Sequence, residues 1–402
     1  MVRKPPSSAD VALIDAAAAR GAVISATQLE RWRRAGLLPD NRRHGAGQGR
    51  GSTSTAPAGI IDLVVWLSAH ARPGRRPHHV ALEAFGAGLP VPEATVRAAW
   101  RSTITDLGVG PAPVPESGTD RSEWIAETAE RFADKHSRNI MLMPRRVRDI
   151  DTRITDLGLS WAPAGVAQYD RGTHQTDPFT SRDFVTLAMS AVLGGSSELN
   201  GANLAAFSRA LSPEGAVSAV ASMLEYPDGN PDLADINDGQ GLSLLPTGDL
   251  RDDLDQIITE ASPAHLYAAW HSVDAMHTWA VTLCDQVEAE LDLLAAGRSQ
   301  QDYPALLQWY HGIILGPHRL LLRQALQKTD TSPAARAGTA VMLLAMATGM
   351  SRLRVMMPDS QFELLPVLLP PFLEQLAAMI AADPPTSLRT APADQPVRPA
   401  GR

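Results

Sequence analysis

The segment from Ser25 to Pro39, SATQLERWRRAGLLP, constrains the fold of this 402-residue chain more than any other. It opens as a capping box, in which the Ser25 hydroxyl accepts from the amide of Gln28 and the Gln28 side chain reaches back. It closes at Gly36, a residue that ends helices in the left-handed conformation, and Pro39 stops any continuation. A helix of about ten residues is predicted between these signals. Leu29, Trp32 and Gly36 fall on one face at i, i+3 and i+7, whereas Thr27, Arg31 and Arg34 project from the other. Trp32 reads as core. A short helix with a packed aromatic back and an arginine-bearing front suits the DNA major groove.

The flanks extend this reading. A helix over Asp10–Ala19 is predicted to pack behind the first, with Gly21 in the turn. Past Pro39 the chain reads as a loop in which Arg42, Arg43, His44 and Arg50 alternate with Gly45, Gly47, Gly49 and Gly51. Flexible backbone carrying guanidinium groups suits close approach to phosphates, so Arg42, Arg43 and Arg50 are assigned to the DNA backbone. Arg31 and Arg34 are assigned to the groove, against the alternative of a solvated helix face. Gln28 serves either the cap or the groove. Pro57 fits the first turn of a supporting helix built on Ile60, Ile61, Val64, Val65 and Leu67.

Charge separates along the chain. Residues 1–103 carry a net +7 and the remainder −15, for a total of −8. A basic head on an acidic body is the distribution expected of a DNA-binding module joined to a domain that does not bind DNA.

The Ser25–Pro39 segment resembles the second helix of MerR-type regulators, in which a serine or threonine precedes an aliphatic residue, an aromatic pair and a Gly-Leu-Leu-Pro ending at this spacing. Leu82, Phe85, Gly86, Gly88 and Val91-Pro92-Glu93 resemble the closing helices of the same module. The resemblance spans residues 9–100 and implies a winged helix-turn-helix fold and promoter binding. Where that family has Arg-Tyr-Tyr, this chain has Glu30-Arg31-Trp32, so the family's arginine contact does not carry over to position 30.

A mainly α protein is therefore expected: a disordered tail at 1–8, a MerR-like DNA-binding domain at 9–107, a Pro/Gly linker at 108–118, an all-α regulatory or dimerisation domain at 119–382 and a disordered tail at 383–402. Helices are predicted near 122–136, 181–193, 201–210, 213–225, 249–261, 264–295, 303–326, 333–350 and 360–382, with a long acidic surface loop from Tyr226 to Asp249. Val147, Ile150, Ile154 and Leu157 mark a further helix that ends at Gly158. Sustained period-two alternation is missing, and no sizeable sheet is expected.

Cys284 is the single cysteine, so an internal disulfide and a cysteine-rich zinc site are excluded. The amino-terminal residues lack a signal-peptide core, and the apolar run at 340–350 is too short to span a bilayer, which predicts a cytoplasmic protein without membrane contact. The glycines at 45–51 are not followed by Gly-Lys-Ser/Thr, which excludes a phosphate-binding loop. His271 and His277 lie about 240° apart around a helix and cannot chelate one metal. No cofactor, metal or catalytic residue is expected.

The leading expectation is a sequence-specific transcriptional regulator that acts on double-stranded DNA as a homodimer through its helical domain. Trp270, His271, Asp274 and Trp279 are the candidate residues for a small-molecule effector, with helical core packing as the competing explanation. An adaptor that recruits a protein partner to DNA is the alternative function, and an all-α enzyme is the least favoured.

Overall fold

Ser7 sets the start of the first helix, α1 (Ser8–Ala19), because its hydroxyl accepts from the Asp10 amide at 3.2 Å. The helix thus begins two residues earlier than its apolar spacing predicts. The computed structural model describes residues 6–45, 52–105, 119–161, 179–195, 201–214, 216, 221–222, 250–298, 302–315, 317–327, 332–356 and 369–384. The expected linker at 108–118, the acidic stretch from Tyr226 to Asp249 and residues 385–402 lie outside them, as does Arg50. The protein is mainly helical, with fifteen α-helices and one two-stranded hairpin among the described residues. None of these helices is long and apolar enough to cross a membrane.

The chain forms two compact units. The first comprises Met1–Leu107 together with Ala261–His271 and Asp330–Met342. After α1 it contains α2 (Ala26–Arg34), strands β1 (Arg42–Gly45) and β2 (Ser52–Thr55), α3 (Ile60–His70), α4 (Pro77–Gly86) and α5 (Glu93–Thr105). The expected loop after Pro39 is thus the two strands of an antiparallel hairpin, in which Arg42 stands opposite Thr55 and His44 opposite Thr53. β2 is the polar run Ser-Thr-Ser-Thr, whose hydroxyl-bearing side chains also serve the ladder's surroundings: Ser54 accepts from the Ser8 hydroxyl and the Ala9 amide of α1. The core of this unit contains Leu13 and Ala17, Leu29 and Trp32, Leu63, Val64 and Leu67, Leu82, and Trp100.

The first three turns of α11 (Pro263–Ala295) also belong to this unit. They meet α4 at Gly86, where a methyl group would stand 2.1 Å from the Trp270 indole nitrogen. His271 Nε2 lies 3.1 Å from the Gly86 carbonyl and donates to it. Phe85 meets Tyr267 edge-on, and Arg336 from α14 (Pro333–Met356) stacks on Trp270 while donating to its carbonyl at 3.0 Å. Only glycine at position 86 allows this approach.

The second unit comprises Gly108–Glu260, Ser272–Thr329 and Leu343–Arg402. Its helices are α6 (Thr119–His136), α7 (Arg145–Asp156), α8 (Ser181–Gly194), α9 (Gly201–Ala210), α10 (Leu250–Glu260), the remainder of α11, α12 (Pro304–Leu315), α13 (Pro317–Leu326), the remainder of α14 and α15 (Pro371–Ala382). The predicted continuous helix over 303–326 is two helices, because Pro317 has no amide to give a carbonyl one turn back and its ring crowds that carbonyl. The last described helix starts at Pro371, in the first turn where proline is tolerated, and residues 360–368 of the predicted helix lie outside the described residues. α7 buries Val147, Ile150 and Ile154, the residues that its spacing selects. Ile125 and Ala129 of α6 pack with Met189 and Leu193 of α8.

Candidate nucleic-acid interface

α2 is fixed at both ends by its own sequence. The Ser25 amide donates to Gln28 Oε1 at 2.8 Å and the Gln28 amide donates to Ser25 Oγ at 3.3 Å, so both halves of the capping box are formed. Gln28 therefore serves the cap. At the other end Gly36 adopts φ +71°, and its carbonyl accepts from the Thr95 hydroxyl at 2.7 Å. A methyl group at position 36 would lie 2.6 Å from that hydroxyl oxygen, so both the backbone angle and the close approach require glycine.

The inner face of α2 is held by packing and by a polar clamp. Leu29 is fully buried and Trp32 is 2% exposed. Arg33 donates to Asp10 at 2.5 Å and to Asn41 at 3.2 Å, while Asn41 and the Ser7 hydroxyl donate to Asp10 at 3.1 and 2.8 Å. Burial pushes the Asp10 carboxyl up, but the hydrogen bonds from Arg33, Ser7 and Asn41 outweigh it and leave the group below its ordinary range. The sequence reading had no role for Arg33, whose partners lie 23 and 8 residues away.

The outer face is bare. Thr27 and Arg31 are exposed, and Arg31 makes no ion pair among the described residues. Arg34 pairs with Glu30 one turn earlier at 2.5 Å, with both side chains mostly in solvent. Arg42 is exposed at the first position of β1. Arg43 follows in the same strand, but its side chain and all of Arg50 lie outside the described residues.

Further arginines adjoin α2 that the sequence reading did not assign. The turn between α3 and α4, Arg72-Pro73-Gly74-Arg75-Arg76-Pro77, is exposed. Arg72 and Arg75 line a groove of about 180 Å³ together with Arg31, Trp32, Leu37 and Val80. Arg75 donates to Glu83 at 2.6 Å. The signal for this turn was present in its composition, three arginines among proline and glycine between two apolar helices. Its place beside α2 is a product of tertiary packing.

Of the candidate effector residues, Trp270 and His271 belong to the first unit and are occupied by Gly86, whereas Asp274 and Trp279 belong to the second. The Trp279 ring contacts His318 and Phe372, with centroids 5.6 and 5.8 Å apart. None of the four lines the cavity of about 580 Å³ in the second unit, which lies against α7. Among the described residues no group of three His, Cys, Asp or Glu side chains is placed to hold a metal ion. No protein-family model, curated protein or solved structure matches this chain.

Proposed function

We propose that the first unit is a winged helix-turn-helix module that binds double-stranded DNA, and that the protein is a sequence-specific transcriptional regulator. The observation that carries this reading is the two-sided character of α2. Behind, Leu29, Trp32 and the Arg33–Asp10 clamp hold it rigidly. In front, Thr27 and Arg31 are exposed and have no ion pair among the described residues that would compete with a duplex. α2 is a single helix of nine residues, and a major groove about 12 Å wide admits one α-helix, whose diameter with side chains is about 10–12 Å. Thr27, Arg31 and Arg34 face base edges in this reading. Arg42 on the hairpin and Arg72 on the turn after α3 contact phosphates, which fix register without reading sequence. The net +7 of residues 1–103 supplies the electrostatic footprint.

The test is selection of bound duplexes from a random pool, followed by affinity measured across a salt series. The full chain is needed, because residues 261–271 and 330–342 complete the first unit and a fragment ending at 107 would uncover Gly86. The expected result is an enriched sequence whose log affinity falls linearly with log salt. A folded full-length protein with no salt-sensitive affinity for any duplex overturns the reading.

A further inference from the structure

In the second unit, α7 carries a polar stripe beside its apolar one. Arg148, Asp151, Thr152, Thr155 and Asp156 recur at i, i+3, i+4, i+7 and i+8 and so share a face. This face, the end of α9 with the turn that follows it, and Arg319 of α13 line an open cavity of about 580 Å³. That volume lies in the range of small-molecule sites.

The inner wall of the cavity is fixed by a buried network. Arg319, its side chain 2% exposed, donates to Asp151 at 2.5 and 3.2 Å and to the Leu211 carbonyl at 2.9 Å. Trp309 donates its indole N–H to Asp151 at 2.9 Å. Asp151 and Arg319 neutralise one another and leave the charge of the site to the rim.

The hydroxyl protons of the lining are already spent on backbone carbonyls. Thr152 donates to Arg148 at 2.9 Å, Thr155 to Asp151 at 3.1 Å and Ser212 to Ser208 at 3.1 Å. Thr155 also accepts from the Trp161 indole at 3.0 Å. What remains open toward the cavity is acceptor capacity: the lone pairs of Thr152 and Ser212 and the carboxylates of Asp156 and Glu214. Both carboxylates are exposed and make no ion pair among the described residues. Among the described residues Arg148 is the one lining cation outside the buried pair.

A wall of acceptors with two uncommitted carboxylates recognises a molecule rich in donors and positively charged. We propose that this cavity binds a small hydrophilic primary amine, whose ammonium sits against Asp156 and Glu214 and whose remaining donors meet Thr152 and Ser212. Arg148 provides a place for a carboxylate on the same molecule, so amines with and without one are distinguished by the test. The site is independent of the duplex-binding surface, and either result below leaves that reading where it stands.

The experiment is calorimetric titration of the full-length protein with 1,4-diaminobutane, L-lysine and glucosamine, with glycerol, succinate and sodium chloride at matched ionic strength as controls. Saturable binding of at least one amine is expected, with none for the controls. Preference for lysine over diaminobutane would assign Arg148 to a ligand carboxylate, and the reverse would confine recognition to the ammonium. Asp156→Asn combined with Glu214→Gln should weaken binding by roughly tenfold or more, the equivalent of one charge-assisted hydrogen bond. Both side chains are exposed, and unchanged melting of the double variant checks that the fold is kept. Asp120→Asn, a distant exposed acid on α6, should bind as the unaltered protein does. Heats no different from sodium chloride, binding of succinate, or equal affinity in the double variant would each overturn the proposal.

Discussion

The exposed face of the first unit and the interior of the second use arginine in opposite ways, although Arg33 and Arg336 show that the first unit also spends arginines on its own structure. In the first, Arg31, Arg42 and Arg72 are exposed and without an ion pair among the described residues, and Arg34 has only a solvated partner. In the second, arginine is a construction material. Arg146 of α7 pairs with Asp285 and Glu288 of α11, Arg153 pairs with Asp292, and Arg319 is buried against Asp151. Arg323 is buried on the Phe184 ring at 4.0 Å and donates to the Met141 carbonyl at 3.1 Å, and burial pushes its pKa down to about 10. A guanidinium consumed by its own protein has little to offer an anion. One left without a counter-charge at the surface of a unit with net positive charge can offer its guanidinium to an anion.

The strongest way to break this contrast is to remove Asp151. Asp151→Ala leaves Arg319 buried without a counter-charge and strips an acceptor from Trp309, which should cost about 3–5 kcal/mol. The matching change in the first unit, Glu30→Ala, removes an exposed partner from Arg34 and should stay within about 0.5 kcal/mol. Denaturant midpoints of the two variants measure the difference. Similar midpoints would mean that the buried pair is not structural.

Acid should separate the units next. Both nitrogens of the buried His318 lack a hydrogen-bond partner among the described residues, and the ring lies against Trp279. Burial, with a smaller push from His311, lowers its pKa from 6.5 to about 4. Between those values the unfolded chain binds a proton that the folded chain refuses, so stability falls as pH drops through the window and levels off below it. The loss totals about 3 kcal/mol at 1.36 kcal/mol per unit. In the first unit the Asp10 carboxyl, held below its ordinary 3.8, begins to lose its contribution only at more acidic pH. His318→Leu should flatten the profile between pH 7 and 4.5. Urea midpoints that fall in parallel for both proteins would assign the loss to other groups.

Gly36→Ala should cost roughly 2 kcal/mol, the sum of a forbidden backbone angle and a contact with Thr95. Its folded fraction should retain duplex affinity only if α2 keeps its angle. Thr95→Ala added to Gly36→Ala relieves the contact and leaves the angle, so thermal melting of the pair divides the two causes.

What the sequence made legible was local. The cap at Ser25, the stop at Gly36 and the two faces of α2 follow from neighbours within four residues, and the structure has all three. The Val147–Ile154 stripe was legible for the same reason. The hairpin was legible only as a Gly-rich wing and not as two paired strands, because its strands are polar, with no alternating apolar residues to announce a sheet. Treating 303–326 as one helix gave apolar spacing more weight than Pro317. Partners distant in sequence left no signal: Trp270 reaches Gly86 from far along the chain, and Asp151 meets an arginine 168 residues later. The aromatic-rich patch on α11 suggested a ligand site from composition, and nothing in the sequence marked the open cavity against α7.

The smallest expected effect is the most discriminating, because it concerns affinity and leaves stability untouched. Arg42 is exposed on β1 and makes no ion pair among the described residues, so Arg42→Ala should melt as the unaltered protein does. If its guanidinium neutralises one phosphate, its loss removes one counterion-release event, and the slope of log affinity against log salt should shrink by about 0.9. The sequence preference of the complex should not change, since a phosphate contact carries no base information. Arg153→Ala is the control from the other unit: it breaks a pair with Asp292, costs up to about 1 kcal/mol of stability and should leave the salt slope alone. Equal slopes for Arg42→Ala and the unaltered protein would remove the hairpin from the interface while leaving α2 in it. A reduced slope for Arg153→Ala would erase the division of labour between exposed and consumed arginines altogether.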